Sequence, residues 1–146
     1  MSQYVLSSAI ISRSVATTWD SAKMEWELER IYMDSEKTCL CSHYPISEIC
    51  VLKNRKNGVR AVVGNCCVQK FMSISSDKLF SAIKRVKKDR NRSVNAEVAE
   101  LAHKKGYITD WELSFYLDTW RKKKMTEKQM IYRRRINEKI LSKMRL

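Results

Sequence analysis

At 146 residues the chain is long enough for one domain with a modest core, and short for two independent ones. A hydrophobic content of 44% with four Trp excludes wholesale disorder, while three Gly and one Pro allow few tight turns, so long helices are expected. The formal net charge is +13, and no stretch reaches the roughly 18–20 apolar residues of a membrane span.

The N-terminal "YVLSSAIISRSVA" is mildly apolar but has no basic leader and carries Arg13, so it reads as part of the core and not as a secretory signal. From Thr18, "TWDSAKMEWELERIYM" predicts a helix: Thr18 is a cap residue, acidic residues come early, and Trp19, Ala22, Trp26 and Met33 recur at helical spacing. Next, "ISEICVLK" and "VRAVV" predict two strands around "NRKNG". Asn57-Gly58 is the turn signal, because both residues tolerate positive φ. Gly64 breaks the second strand, Asn65 is the expected N-cap, and "CCVQKFM" opens a helix.

Ser76 is the expected cap of a helix with Leu79, Ile83 and Val86 on its apolar line. "NRSVNAEVAELAHKKG" predicts a further helix stopped at Gly106, and Asp110 begins "DWELSFYLDTWRKKK". Thr126 and Gln129 match a capping box, opening a last helix with Tyr132, Ile136, Ile140 and Met144 at intervals of four. The expected fold is therefore α+β and mostly helical: a β-hairpin packed among five to six helices. It forms a single domain over 1–146, with an N-terminal segment and helix in 1–38, a hairpin–helix module in 39–75 and a basic helical region in 76–146.

Five cysteines lie between positions 39 and 67. An odd count leaves one thiol unpaired in any disulfide framework, so an intracellular, reducing compartment with metal-binding or buried thiols is expected. On an extended strand Cys39, Cys41 and His43 of "CLCSH" would project to one face and offer three ligands. Structural zinc takes four N or S ligands, and the hairpin brings the chain back with Cys66 and Cys67 in the first turn of the following helix, where a thiolate is favoured. Cys67 shares a helical face with Phe71 and is the preferred fourth ligand, with Cys66 in reserve; Cys50 reads as a small core residue. The expected site is thus Cys39, Cys41, His43 and Cys67 holding a structural Zn2+ in a treble-clef-like order.

The stretch from Cys39 to Phe71 resembles a small cysteine-rich, zinc-finger-like module of bacteriophage and large-DNA-virus proteins. The resemblance rests on Cys39, Cys41, Ile46, Asn54, Asn57, Gly58, Val63, Gly64, Cys67, Val68 and Phe71, that is C-x-C, an N-x-x-N-G turn and V-G-x-x-C. Downstream, "MTEKQMIYRRRINEKI" resembles a helical segment that often follows such modules. The resemblance implies zinc binding and a phage or viral origin, hence the host-cell cytoplasm as the expected compartment, and it supports Cys67 over Cys66. Where Gly is common in the module this chain has Ser42, a change that a strand tolerates.

Charge is distributed unevenly. Residues 1–38 carry four basic and six acidic side chains, 76–92 seven and two, and 121–146 eleven and two. Clustering of this kind is the footprint of a protein that meets polyanions, DNA or RNA. Lys84, Arg85, Lys87, Lys88, Arg133, Arg134 and Arg135 are the expected phosphate contacts, with little sequence preference. The aromatics Trp111, Phe115, Tyr116 and Trp120 could stack on bases, but their helical spacing favours a core role. A different reading is a protein-binding regulator or inhibitor of a host enzyme, since aromatics and Arg also make interface hot spots. A nuclease with His43 as general base is disfavoured: His103 is the only other histidine, and no P-loop, H-E-x-x-H or nucleophile elbow occurs. No catalytic residue and no enzyme activity is expected.

Overall fold

The computed structural model describes residues 2–144. Among them are seven α-helices and a three-stranded antiparallel sheet, the mostly helical α+β class that the sequence predicts. The contacts group into two compact units, Met1–Asp77 and Lys78–Leu146.

In the first unit, α1 (Ser2–Ser12) buries Leu6 and Ile10 completely, one turn apart on one face. The helix predicted from Thr18 is cut short. α2 (Trp19–Ala22) and a single 3-10 turn (Lys23–Glu25) lead into strand β1 (Trp26–Lys37), which pairs with β2 (Ile46–Asn54) from Trp26↔Asn54 to Lys37↔Ile46, with register shifts between Leu28 and Arg30 and between Met33 and Lys37. β2 is buried from Ile49 to Leu52, and β3 (Arg60–Gly64) covers only one of its edges. The second edge needs a ladder partner, and "WELERIYM", with its aromatic and β-branched residues, supplies it. Trp26 and Met33 thus belong to a strand, although their spacing from Trp19 and Ala22 imitates a helix.

The β2–β3 hairpin forms where it is expected, with different turn chemistry. Of the two turn residues only Gly58 takes positive φ, at 75°. Asn54 organises the turn instead: its Oδ1 accepts from the backbone N–H of Lys56 (2.8 Å) and Asn57 (3.2 Å), and Gly58 N donates to its carbonyl at 3.0 Å. The Asn54 amide also donates to Glu25 Oε1 at 2.9 Å. Glu25, 3% exposed, accepts further bonds from the N–H groups of Val15 (2.9 Å) and Ala16 (2.8 Å). The Asn54 bond above all holds its carboxyl below the usual carboxylate range, outweighing burial. A depressed folded-state pKa gives stability that is present above pH 4.5, the ordinary value, and is lost as pH falls below it. Thermal unfolding followed from neutral to acidic pH is expected to show a falling Tm in the native chain. Glu25→Gln should start lower and fall less steeply.

Helix α3 (Asn65–Met72) follows β3 directly, capped by Gly64 and not by Asn65. Asn65 is the first helical residue, and its side-chain oxygen accepts a bond from the Ser76 hydroxyl.

The second unit is helical. α4 (Asp77–Lys88), which begins at the unit boundary, buries Leu79, Ile83 and Val86 as predicted. α5 (Ala96–Lys104) is capped by Asn95 Oδ1 on Val98 N and closes with Gly106 N on His103 O (2.9 Å) and Tyr107 N on Ala102 O (2.8 Å), the Schellman pair. α6 (Asp110–Thr119) starts one residue earlier in effect, on a capping box of Thr109 with Glu112. α7 (Glu127–Lys143) opens on the predicted box of Thr126 with Gln129 and buries Ile136 and Ile140, with Met144 buried just beyond its end.

Candidate metal centre

The eight-residue connection between β1 and β2 carries "CLCSH". β-register puts Gly64 opposite Ile49, so α3 begins beside the start of β2 and its first turn faces that connection. A Cβ on residue 64 would lie 3.3 Å from Ile46 Cγ2, so glycine is what lets the strand end pack against Ile46. Gly64 N–H also donates to Cys39 Sγ at 3.3 Å, which fixes that sulfur over the entry to α3.

Cys39 to His43 is a turn, correcting the expected strand. Ser42 N donates to Cys39 O at 2.8 Å and Cys39 N to His43 O at 3.0 Å. Cys41 N donates to Cys39 Sγ at 3.4 Å, and Ser42 sits at φ 76°. The turn, not strand alternation, is what brings Cys39 and Cys41 together. It also explains why glycine suits position 42: a left-handed residue with a side chain is strained. Ser42→Gly is expected to stabilise the first unit by about 0.5–1 kcal/mol. A denaturant titration with unchanged slope would measure the gain.

Three sulfurs meet here. Among the described residues, Cys39, Cys41 and Cys67 place their Sγ atoms all within 4.8 Å of one another, a group that could hold a metal ion. Cys39 and Cys41 are buried and Cys67 is half-buried. Cys66, on the neighbouring helical position, is exposed and outside the group. The turn also leaves the His43 ring outside it, exposed, although His43 lines the same cleft of about 410 Å³ as the cysteines and Phe71. Cys50 is fully buried in β2, and burial pushes its thiol up to about 12.

The electrostatics differ from the helix-terminus expectation. Burial raises the Cys67 thiol, and the adjacent Cys41 and Cys39 sulfurs raise it further, so the helix start does not favour its thiolate. Burial likewise raises Cys39. At Cys41 burial is outweighed by hydrogen bonds from the His43 backbone and from the thiols of Cys39 and Cys67, which leave it lowered. Cys41 is therefore the sulfur that gives up its proton most readily, and Cys39 and Cys67 resist losing theirs. The donor set suits a soft or borderline cation: sulfurs on a tetrahedral zinc with Zn–S of about 2.3 Å stand ~3.8 Å apart, within the observed spacing.

No family model, curated protein or solved structure matches the chain.

Among the expected phosphate contacts, Lys84, Lys87 and Lys88 on α4 and Arg134 and Arg135 on α7 are exposed. Arg134 Nε donates to Asn91 Oδ1. Arg133 lies deeper: it is 5% exposed, and it donates to Thr119 O at 2.6 Å and to Asn91 O at 3.3 Å, so its guanidinium ties backbone together beneath the surface. Arg85 is half-buried and grips Ser93 O through two bonds, at 3.1 and 2.8 Å. Tyr116 is core, as its spacing predicts, with 1% exposure. Trp111 is not: it is 56% exposed and stacks on Phe115 with centroids 5.4 Å apart, with Tyr132 edge-on to both. Arg92, Arg121, Lys122 and Lys123 lie outside the expected phosphate contacts, although the charge run "WRKKK" is a signal for the last three. They line one cleft together with Arg133. No helix among the described residues is long and apolar enough to cross a membrane.

Proposed function

We propose that the chain is a zinc-stabilised nucleic-acid-binding protein. Cys39, Cys41 and Cys67 hold a structural Zn2+, with His43 swung in from the rim of the same cleft as fourth ligand. The observation that carries the metal reading is the meeting of three sulfurs within 4.8 Å, two from a tight turn and one from the start of α3. Four protein ligands leave no open position for a substrate, so the centre is scaffold and the polyanion surface lies elsewhere. The exposed cations of α4 and α7, in segments that together exceed the whole chain's charge excess, grip phosphates.

Retardation of DNA and RNA by the purified protein tests this reading. About five phosphate contacts imply an affinity that falls roughly 500-fold between about 50 and 200 mM salt. Absence of retardation at low salt, or a flat salt dependence, contradicts it. A protein-binding regulator is the second reading, favoured by the exposed Trp111 on Phe115. A partner retained from host lysate after nuclease treatment would speak for it.

A further inference from the structure

A cleft of about 480 Å³ in the second unit lies between residues 91–93, which follow α4, and 120–123, which follow α6. Five of its lining side chains are cationic, Arg92, Arg121, Lys122, Lys123 and Arg133, and no Asp or Glu lines it. Both walls are fixed by side chains that spend their hydrogen bonds on backbone. Asn137 Nδ2 donates to Arg90 O (2.9 Å) and Arg92 O (2.8 Å), Ser93 Oγ to Trp120 O (2.6 Å), and Arg133 bridges Asn91 O and Thr119 O. Arg121 stacks over the Trp120 ring at 4.8 Å.

Arg133 is the informative member. It is a buried cation whose Nε–H has no hydrogen-bond partner, and no carboxylate pairs with it among the described residues. Burial weighs against its charge. A buried, unpaired charge is costly, and a cleft of further cations beside it raises that cost unless an anion enters. A phosphate dianion would offset two of the five charges and ease the repulsion among the rest, and guanidinium groups suit its oxygens.

We propose that this cleft is a phosphate-binding pocket, taking a phosphate monoester or diphosphate group carried by the end of a nucleic-acid strand or by a free nucleotide. The strand-end source rests on the nucleic-acid reading above; the free-nucleotide source does not.

The test uses the full chain, with inorganic pyrophosphate, ADP, and one single-stranded oligonucleotide with and without a 5′-phosphate as probes. Saturable pyrophosphate binding is expected. It should weaken about tenfold or more in Lys122→Glu/Lys123→Glu, whose side chains are exposed, at unchanged Tm, and stay within about twofold in Lys37→Glu/Lys104→Glu, two exposed lysines outside the cleft and outside α4 and α7. Tighter binding of the 5′-phosphorylated strand than of its unphosphorylated twin assigns the strand end. Binding of pyrophosphate and ADP with no oligonucleotide bound assigns the free nucleotide, and then the nucleic-acid reading fails while the pocket stands. No saturable pyrophosphate binding, or equal losses in the two double variants, overturns the pocket.

Discussion

Cys67→Ala is expected to remove zinc from the protein and to lower the melting temperature of the first unit by about 20 °C. Binding confined to the folded state stabilises by RT ln(1 + [L]/Kd), about 4 kcal/mol when free zinc is 1,000 times the Kd. Each kcal/mol shifts Tm by about 4–8 °C in a domain of 60–100 residues. Cys67 joins α3 to the turn that carries Cys39 and Cys41, so its loss uncouples the helix from the β1–β2 connection as well as deleting a ligand. Excess chelator should reproduce the shift in the native chain and leave Cys67→Ala unmoved. Cys66→Ala, at an exposed neighbour outside the sulfur group, should keep both its zinc and its Tm. Calorimetry with and without chelator distinguishes these outcomes. Equal melting of Cys67→Ala and the native chain in zinc would remove the metal from the account.

Asn137→Ala is expected to cost the second unit about 4 kcal/mol. Asn137 is completely buried on α7, donating to the carbonyls of Arg90 and Arg92 and accepting from Tyr116 Oη at 2.7 Å. The same phenol accepts from Val94 N at 2.8 Å. Alanine leaves two carbonyls and one hydroxyl without their partners, at about 1–3 kcal/mol each where water does not reach them. Tyr116→Phe removes one hydroxyl and orphans two groups, Asn137 Oδ1 and Val94 N–H, against three, so a loss of about 2 kcal/mol is expected. Because the two side chains share a bond, the double variant should lose less than the two single losses combined. Urea unfolding measures all three. Additive losses would show that the residues act independently.

The parts legible in sequence are those decided within one turn of chain. The Thr126–Gln129 box, the Gly106 stop and the Leu79, Ile83, Val86 line each depend on neighbours three or four residues away. β1 was not legible, because whether "WELERIYM" is helix or strand depends on the open edge of β2, some twenty residues later. "CLCSH" offered two local solutions, alternation and turn, which differ in the φ of Ser42; the hydrogen bonds to His43 O and Cys39 O that select the turn are not encoded by residue type. The pairing of Cys67 with Cys39 and Cys41 could be read, since a hairpin must return to its start. Arg133 could also have been placed, standing three residues before Ile136 and seven before Ile140 on the buried face of α7. Its charge suggested the opposite surface.

Zinc K-edge absorption of the protein purified without added metal tests the central claim most directly. The account predicts about one zinc per chain, with three sulfur scatterers at about 2.3 Å and one nitrogen at about 2.0 Å. A protein without stoichiometric zinc, or a zinc shell of oxygen and nitrogen lacking sulfur, would contradict it.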